Sequence, residues 1–259
     1  MIIDTHAHYD DEAFNEDRDA VLRSLKEEDV SLVVNIGASM ESSERTVELV
    51  KQYPFVYGAV GVHPDSAKEL TEKKLARLRE LAGADKVVAI GEIGLDYYWD
   101  SSPRDVQKYW FLRQLDLAME LELPVVIHSR EATQETLDIM KEAYRRSQGT
   151  LRGVIHCFSA GPEIAKEYTD MGFFIGIGGV VTFKNGKKMK EVAAAIPFDK
   201  LVLETDCPYL APEPNRGKRN HSGYLTYVAE QIGTLRGVSA EEVIRVTEAN
   251  ARALYTRLP

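Results

Sequence analysis

His6 and His8 stand two residues apart at the end of a short apolar run, so an extended backbone turns both rings the same way. Glu204 and Asp206 repeat that spacing with carboxylates at the end of another run. His63, Glu92, His128 and His156 each end or closely follow further apolar runs. Five of the six histidines thus occupy equivalent positions, and only His221 lies apart, in a polar loop. Imidazole and carboxylate are ordinary ligands of divalent cations. His6, His8, His128, His156, Glu92 and Asp206 together exceed the needs of one tetrahedral ion, whereas a carboxylate with two oxygens can bridge two. The expected arrangement puts His6, His8 and Asp206 on one cation and His128 and His156 on a second, with Glu92 between them. Imidazole-rich ligation suits Zn²⁺, Mn²⁺ or Fe²⁺ better than Mg²⁺, and the ligand set alone does not select the ion.

Two cations in such a cradle can raise a nucleophile from water near neutral pH and clamp both the attacking and the leaving oxygen. Asp206 is the residue expected to orient that water or take its proton, which makes Asp206 and Glu92 the catalytic candidates. Glu204 is expected behind the ligands, holding an imidazole N–H. His63 either positions a substrate phosphate or bonds within the turn before Pro64. Arg130 and the cluster Arg216, Lys218 and Arg219 are candidates for phosphate contacts. Tyr97, Tyr98 and Trp99 could stack on a base or pack at a rim. Cys157 and Cys207 neighbour the ligands, yet strand alternation turns them away, and they read as small buried residues rather than nucleophiles.

These side chains need a scaffold that brings strand ends together. Eight apolar runs, at 1–5, 30–37, 56–62, 86–93, 123–128, 151–156, 173–179 and 200–205, alternate with amphipathic stretches along the 259 residues. Their continuous Val and Ile content fits parallel strands covered on both faces. Ser102-Pro103 reads as an N-cap and first helical position, followed by Val106, Trp110, Leu117 and Leu121 near helical spacing. Ser239 and Glu242 form a capping-box pattern. Eight strand–helix alternations without a linker predict one (β/α)₈ TIM barrel spanning 1–259, whose C-terminal rim carries the active site. An open doubly wound sheet would offer a phosphate-binding Gly-x-Gly-x-x-Gly, and Gly176-x-Gly178-Gly179 lacks that spacing.

A net charge of −9 argues against coating DNA through a basic outer face, although cations in a pocket can dominate its local field. Two cysteines make no disulfide framework, and the apolar start runs straight into Asp4, His6 and His8 rather than into a signal sequence. The apolar stretch at 171–183 is too short and Gly-rich for a membrane span. A reduced, cytoplasmic setting is the expectation.

The segments DTHAH (4–8), GVHP (61–64), GEIGLDYY (91–98), PVVIHSR (124–130), IHCFS (155–159), ETDCPYLAP (204–212) and RGKRN (216–220) resemble, in order and over nearly the whole chain, those of the TatD-type DNases among the amidohydrolase-like barrels. The resemblance implies a barrel, divalent metals (zinc, manganese or magnesium) and hydrolysis of phosphodiesters in DNA, often 3′ to 5′ on single strands. It also implies ligation by His6, His8, Glu92, His128, His156 and Asp206. Related barrels often bridge their metals with a carboxylated lysine, where this chain has Glu92. After Asn220 stands His221-Ser222, where relatives often carry an acidic residue and proline. Two rival functions keep the same fold: hydrolysis of an ester or amide, as in D-aminoacyl-tRNA deacylases, and a metal-stabilised scaffold without catalysis.

Overall fold

The computed structural model describes residues 1–259. Each apolar run becomes a strand, and all eight join one parallel sheet in chain order. The strands are β1 (Ile2–Ala7), β2 (Val30–Ile36), β3 (Val56–Val60), β4 (Val87–Asp96), β5 (Val125–Arg130), β6 (Gly153–Ile155), β7 (Phe174–Ile177) and β8 (Leu201–Leu203). The helices that follow β1 to β7 in turn are α1 (Arg18–Ser24), α2 (Met40–Gln52), α3 (Glu72–Ala82), α4 (Arg104–Glu120), α5 (Thr133–Arg146), α6 (Pro162–Asp170) and α7 (Lys187–Ala195). Two more, α8 (Leu225–Arg236) and α9 (Ala240–Leu254), follow β8. The result is the expected TIM barrel.

Strand alternation divides the core. Val33, Val125, Ile127, Ile155, Ile175, Leu201 and Leu203 face the helices in the larger apolar cluster. Their neighbours Val34, Val126, Val154, Phe174 and Val202 form a smaller cluster with Leu254 and Tyr255 from the chain's end. Tyr255 is fully buried there, its hydroxyl donating to the Thr5 carbonyl at 3.1 Å. No helix is long and apolar enough to cross a membrane.

The barrel closes where its polar residues begin. β8 stops at Leu203, but the chain beyond it pairs with β1: Asp206 N–H donates to His6 O and His8 N–H to Cys207 O, both at 2.9 Å. The Thr5 hydroxyl donates to Leu203 O at 2.9 Å.

Several boundaries differ from the sequence reading. β4 runs on to Asp96 and β5 to Arg130, because the ladder continues through Gly94↔His128 and Asp96↔Arg130. Gly94 permits this: its φ of +151° disfavours a side chain, and a Cβ there would run into the His128 carbonyl. Glu92 therefore lies within a strand, not at its end. The helix expected to start at Pro103 starts at Arg104, with Pro103 as its N-cap. Ser102 instead donates to Asp65 O at 2.9 Å and accepts Lys68 N–H at 3.1 Å, tying the loop after β4 to the loop after β3. The Ser239 cap forms as expected, accepting Glu242 N–H at 3.2 Å.

Candidate metal centre

Five side chains, borne by the end of β1, by β5 and by the segments after β6 and β8, converge around the carboxylate of Glu92 on β4. On one side, Glu92 Oε2 lies 3.6 Å from His6 Nε2 and 3.8 Å from His8 Nε2. Asp206 Oδ1 completes that group, 3.6 Å from His6 Nε2 and 3.3 Å from His8 Nε2. On the other side, Glu92 Oε1 lies 2.7 Å from His156 Nε2 and 2.9 Å from His128 Nδ1. The two oxygens of one carboxylate thus face two separate nests of nitrogen and oxygen.

Neighbouring groups fix which ring atoms face inward. His8 Nδ1–H donates to the Ile36 carbonyl at 2.9 Å, leaving Nε2 toward the cluster. His128 Nε2–H donates to Asp96 Oδ2 at 3.0 Å, so its Nδ1 is the atom turned to Glu92. His6 stacks on His156 with ring centroids 3.8 Å apart, locking both planes. The inward nitrogens of neutral His8 and His128, held this way, present lone pairs to ring nitrogens and carboxylate oxygens 2.9 to 3.8 Å away, and the lone pairs facing carboxylate oxygens are repelled without a cation. In a metal-free protein a proton takes that part. Burial lowers the affinity of His8 and His128 for protons, but the facing carboxylates outweigh it and hold them up, to about 10 and about 9. Burial acts against the charge of Glu92 as well, and the surrounding imidazoles nonetheless keep it ionised. The donor set fits divalent cations.

His63 approaches the second nest, its Nε2 at 3.7 Å from Glu92 Oε1. Its Nδ1 accepts Asp65 N–H at 3.2 Å, so the neutral ring carries its proton on Nε2, facing the cluster. Burial and the positive His128 push its pKa down to about 3, which keeps it neutral.

Asp96, part of the GEIGLDYY segment, acquires a role that the sequence does not assign it. Besides orienting His128 through Oδ2, its Oδ1 accepts the N–H groups of Tyr98 and Trp99 at 2.9 and 3.0 Å. Its spacing from Glu92, four residues along one strand, was the available signal. Asp4 is a second such residue: fully buried, it accepts Thr205 N–H, the Thr205 hydroxyl and the Ser222 hydroxyl, at 3.0, 2.6 and 2.6 Å. Ser222, in the loop that departs from the family pattern, thereby helps anchor the segment carrying Asp206.

The structure places other candidates differently. Glu204 makes no hydrogen bond to an imidazole; its Oε1 accepts Cys157 N–H at 2.5 Å and its Oε2 has no partner. β6 ends at Ile155, so the turn after it offers Glu204 a main-chain N–H instead of a ring. That early end also undoes the alternation argument for Cys157, which has φ +42° and lines a cavity beside Asp206. Its thiol is pushed up by burial and by Asp206 and Glu204, and stays protonated. Cys207 faces the helices, fully buried, as expected.

Arg219 is not brought to the cluster: it forms a two-toothed ion pair with Asp17 at 2.8 and 2.6 Å and covers the Phe14 ring. Arg130 makes no ion pair and lies 3.9 Å over the exposed Tyr98 ring, close to the exposed Trp99. Tyr97 instead donates to Glu135 at 2.6 Å.

A TIM barrel whose C-terminal rim gathers imidazoles and carboxylates in this way defines a metal-dependent hydrolase. The model of the TatD related DNase family matches residues 3–256, and the chain belongs to that family. It is 46% identical to the protein named Uncharacterized metal-dependent hydrolase YabD of Bacillus subtilis (strain 168), covering 98% of this chain and 99% of that one. It is 36% identical to the 3'-5' ssDNA/RNA exonuclease TatD of Erwinia tasmaniensis, over 93% and 95% of the two chains. The solved structure of YJJV, a TatD homologue from Escherichia coli k12, superposes with a TM-score of 0.92 at 29% identity, over 100% of this chain and 98% of that one.

Proposed function

We propose that this protein is a divalent-metal-dependent deoxyribonuclease that hydrolyses phosphodiester bonds of single-stranded DNA from the 3′ end. The observation that carries the reading is the Glu92 carboxylate, with one oxygen toward His6, His8 and Asp206 and the other toward His128 and His156. The Erwinia relative's activity, on single-stranded DNA and RNA by its name, supports the choice of substrate.

Two divalent cations bound in these nests would supply Lewis acidity and a lowered pKa for water. The chain's own residues do the rest. Asp206 stands in the left-handed region at φ 57°, fixed by its N–H bond to His6 O, and its carboxylate takes the proton of the attacking water. His63, neutral with Nε2–H turned inward, donates to a phosphate oxygen. Arg130, free of any carboxylate, holds a flanking phosphate, while Tyr98 and Trp99 offer unpaired bases a stacking surface.

The test is product analysis on end-labelled single- and double-stranded DNA with enzyme reconstituted with Zn²⁺, Mn²⁺ or Mg²⁺. Stepwise shortening from the 3′ end, lost with chelator and in Asp206→Ala with an unchanged melting curve, is the expected result. Turnover of D-aminoacyl-tRNA with DNA left intact would replace this reading with that of a deacylase. Near-native DNA cleavage by Asp206→Ala would remove its role.

A further inference from the structure

A cavity of about 270 Å³ opens beside the metal centre, between the loops that follow β6, β7 and β8. Asp206 is in its wall, so whatever occupies it adjoins the reacting phosphate. Pockets for drug-sized ligands begin at roughly 300 Å³, which leaves room here for about one nucleoside and not for a folded strand. Two features of its lining point to chemistry. At its inner end, Glu204 is 1% exposed and its Oε2 has no partner; it lies over Gly176, where any side chain would collide with it. A buried carboxyl oxygen without a partner is costly and is satisfied by an N–H or O–H donor. A base edge or a sugar hydroxyl is a neutral group able to supply that donor.

The other feature lies at the mouth. The stretch from Thr182 to Lys190 carries Lys184, Lys187, Lys188 and Lys190 in a protein of net charge −9. Among the four only Lys187 has an acidic partner, Glu191 at 3.8 Å. Lys188 lines the cavity, and Lys184 precedes Asn185, which also lines it. Arg216 lies near this loop, stacked 4.3 Å over Phe183 and paired with Glu213 at 4.0 Å. Lysines without acidic partners at this mouth give a local field opposite to the overall charge.

We propose that this cavity receives the nucleoside next to the scissile phosphate, its base or sugar donating to Glu204, and that Lys184 and Lys188 take the neighbouring phosphates of the strand. The proposal rests on the nuclease reading above and adds where the strand lies: over the loop after β7, on the β6–β8 side of the cations.

Two changes test it. Val180→Trp fills the cavity, and the double variant Lys184→Ala/Lys188→Ala removes the surface charges without touching the core. Each metal-loaded protein is assayed on a single-stranded oligodeoxynucleotide and on bis(p-nitrophenyl) phosphate, a diester too small to need the cavity. The expected result is that the ratio of kcat/KM on the oligonucleotide to that on the small diester falls at least tenfold in both variants. In the lysine variant the dependence of log kcat/KM on log salt also flattens, by about 0.7 for each phosphate that a lysine no longer neutralises. Wild-type cleavage of the oligonucleotide with an unchanged ratio and salt slope in the lysine variant overturns the cavity assignment alone. If Val180→Trp does not fold, the lysine variant decides by itself. Wild-type enzyme that cleaves the small diester and leaves the oligonucleotide intact overturns the nuclease reading and the cavity assignment with it.

Discussion

Glu92 and Asp96 show how two carboxylates on one strand would divide the work of the proposed binuclear site. Glu92 is buried among imidazoles with each oxygen facing a different nest. A buried carboxylate in that position needs positive partners, since desolvation alone would drive it to the neutral acid. Asp96 receives His128 Nε2–H, and so decides that Nδ1 faces Glu92 and the proposed second cation. Partners of this kind are worth about 10–100-fold in metal affinity. Asp96→Asn is therefore expected to weaken the second cation's binding by that factor while leaving the first in place, read by metal stoichiometry after dialysis against graded chelator. Equal loss of both ions, or of neither, would contradict the role. A second expectation concerns protons. His8 and His128, held up to about 10 and about 9 without metal, are protonated at pH 7 and must release those protons when cations bind. Metal affinity then rises with pH across the neutral range and stops rising once the rings are neutral. Calorimetry in buffers of different ionisation enthalpy measures the release directly, and a buffer-independent heat would refute it.

Among the elements, β4 carries the most constraints. It continues past Glu92 because Gly94 lets its backbone approach His128 closely, and the continued ladder sets the distance between the Glu92 carboxylate and the second nest. Gly94→Ala puts a Cβ against a carbonyl that has no room to retreat, at a backbone angle that favours glycine. Strain of this kind costs about 1–3 kcal/mol. The variant is expected to melt several degrees lower and to bind less than two equivalents of metal, by thermal denaturation and metal analysis. The loop after β4 shows the same economy: Asp96 caps the turn bearing Tyr98 and Trp99, and Gln107 of α4 donates to Asp96 O and Ser102 O at 2.9 Å. The exposed aromatic rim is thereby built on the strand that holds Glu92.

For the whole molecule, the hydrogen bonds that close the barrel also position the first nest of candidate ligands. Asp206 N–H to His6 O and His8 N–H to Cys207 O join the last strand's extension to the first, and Asp4 ties Thr205 and Ser222 to that seam. Cations held, as proposed, by His6, His8 and Asp206 would bind only the closed barrel and stabilise it by mass action, about 2.7 kcal/mol at a hundredfold excess over Kd. Removing metal with chelator is expected to lower the melting temperature, by roughly 2–4 °C for each kcal/mol in a chain of this size. Restoring Zn²⁺ or Mn²⁺ should reverse the shift. A melting temperature indifferent to both treatments would mean that the ligands stand apart from the seam.

The sequence by itself determined the number and order of the strands, since continuous Val- and Ile-rich runs are what a doubly covered parallel sheet requires, and it determined that His6 and His8 share a face, since that follows from a period of two. It singled out Glu92, His128, His156 and Asp206 because polar residues at the ends of apolar runs have few structural uses. The tertiary structure decided what depends on where a strand stops and what lies across from it. β4 hid Asp96 from a reading that ended the strand at Ile93, and β6 ended early enough to give Glu204 a main-chain N–H in place of a ring. Arg219, a plausible phosphate ligand in the chain, met Asp17 from a segment some two hundred residues earlier, while Arg130 met only aromatic rings. Local pattern fixes periodicity and facing; partners distant in the chain are fixed only when the barrel closes and each charge finds the nearest group that can satisfy it.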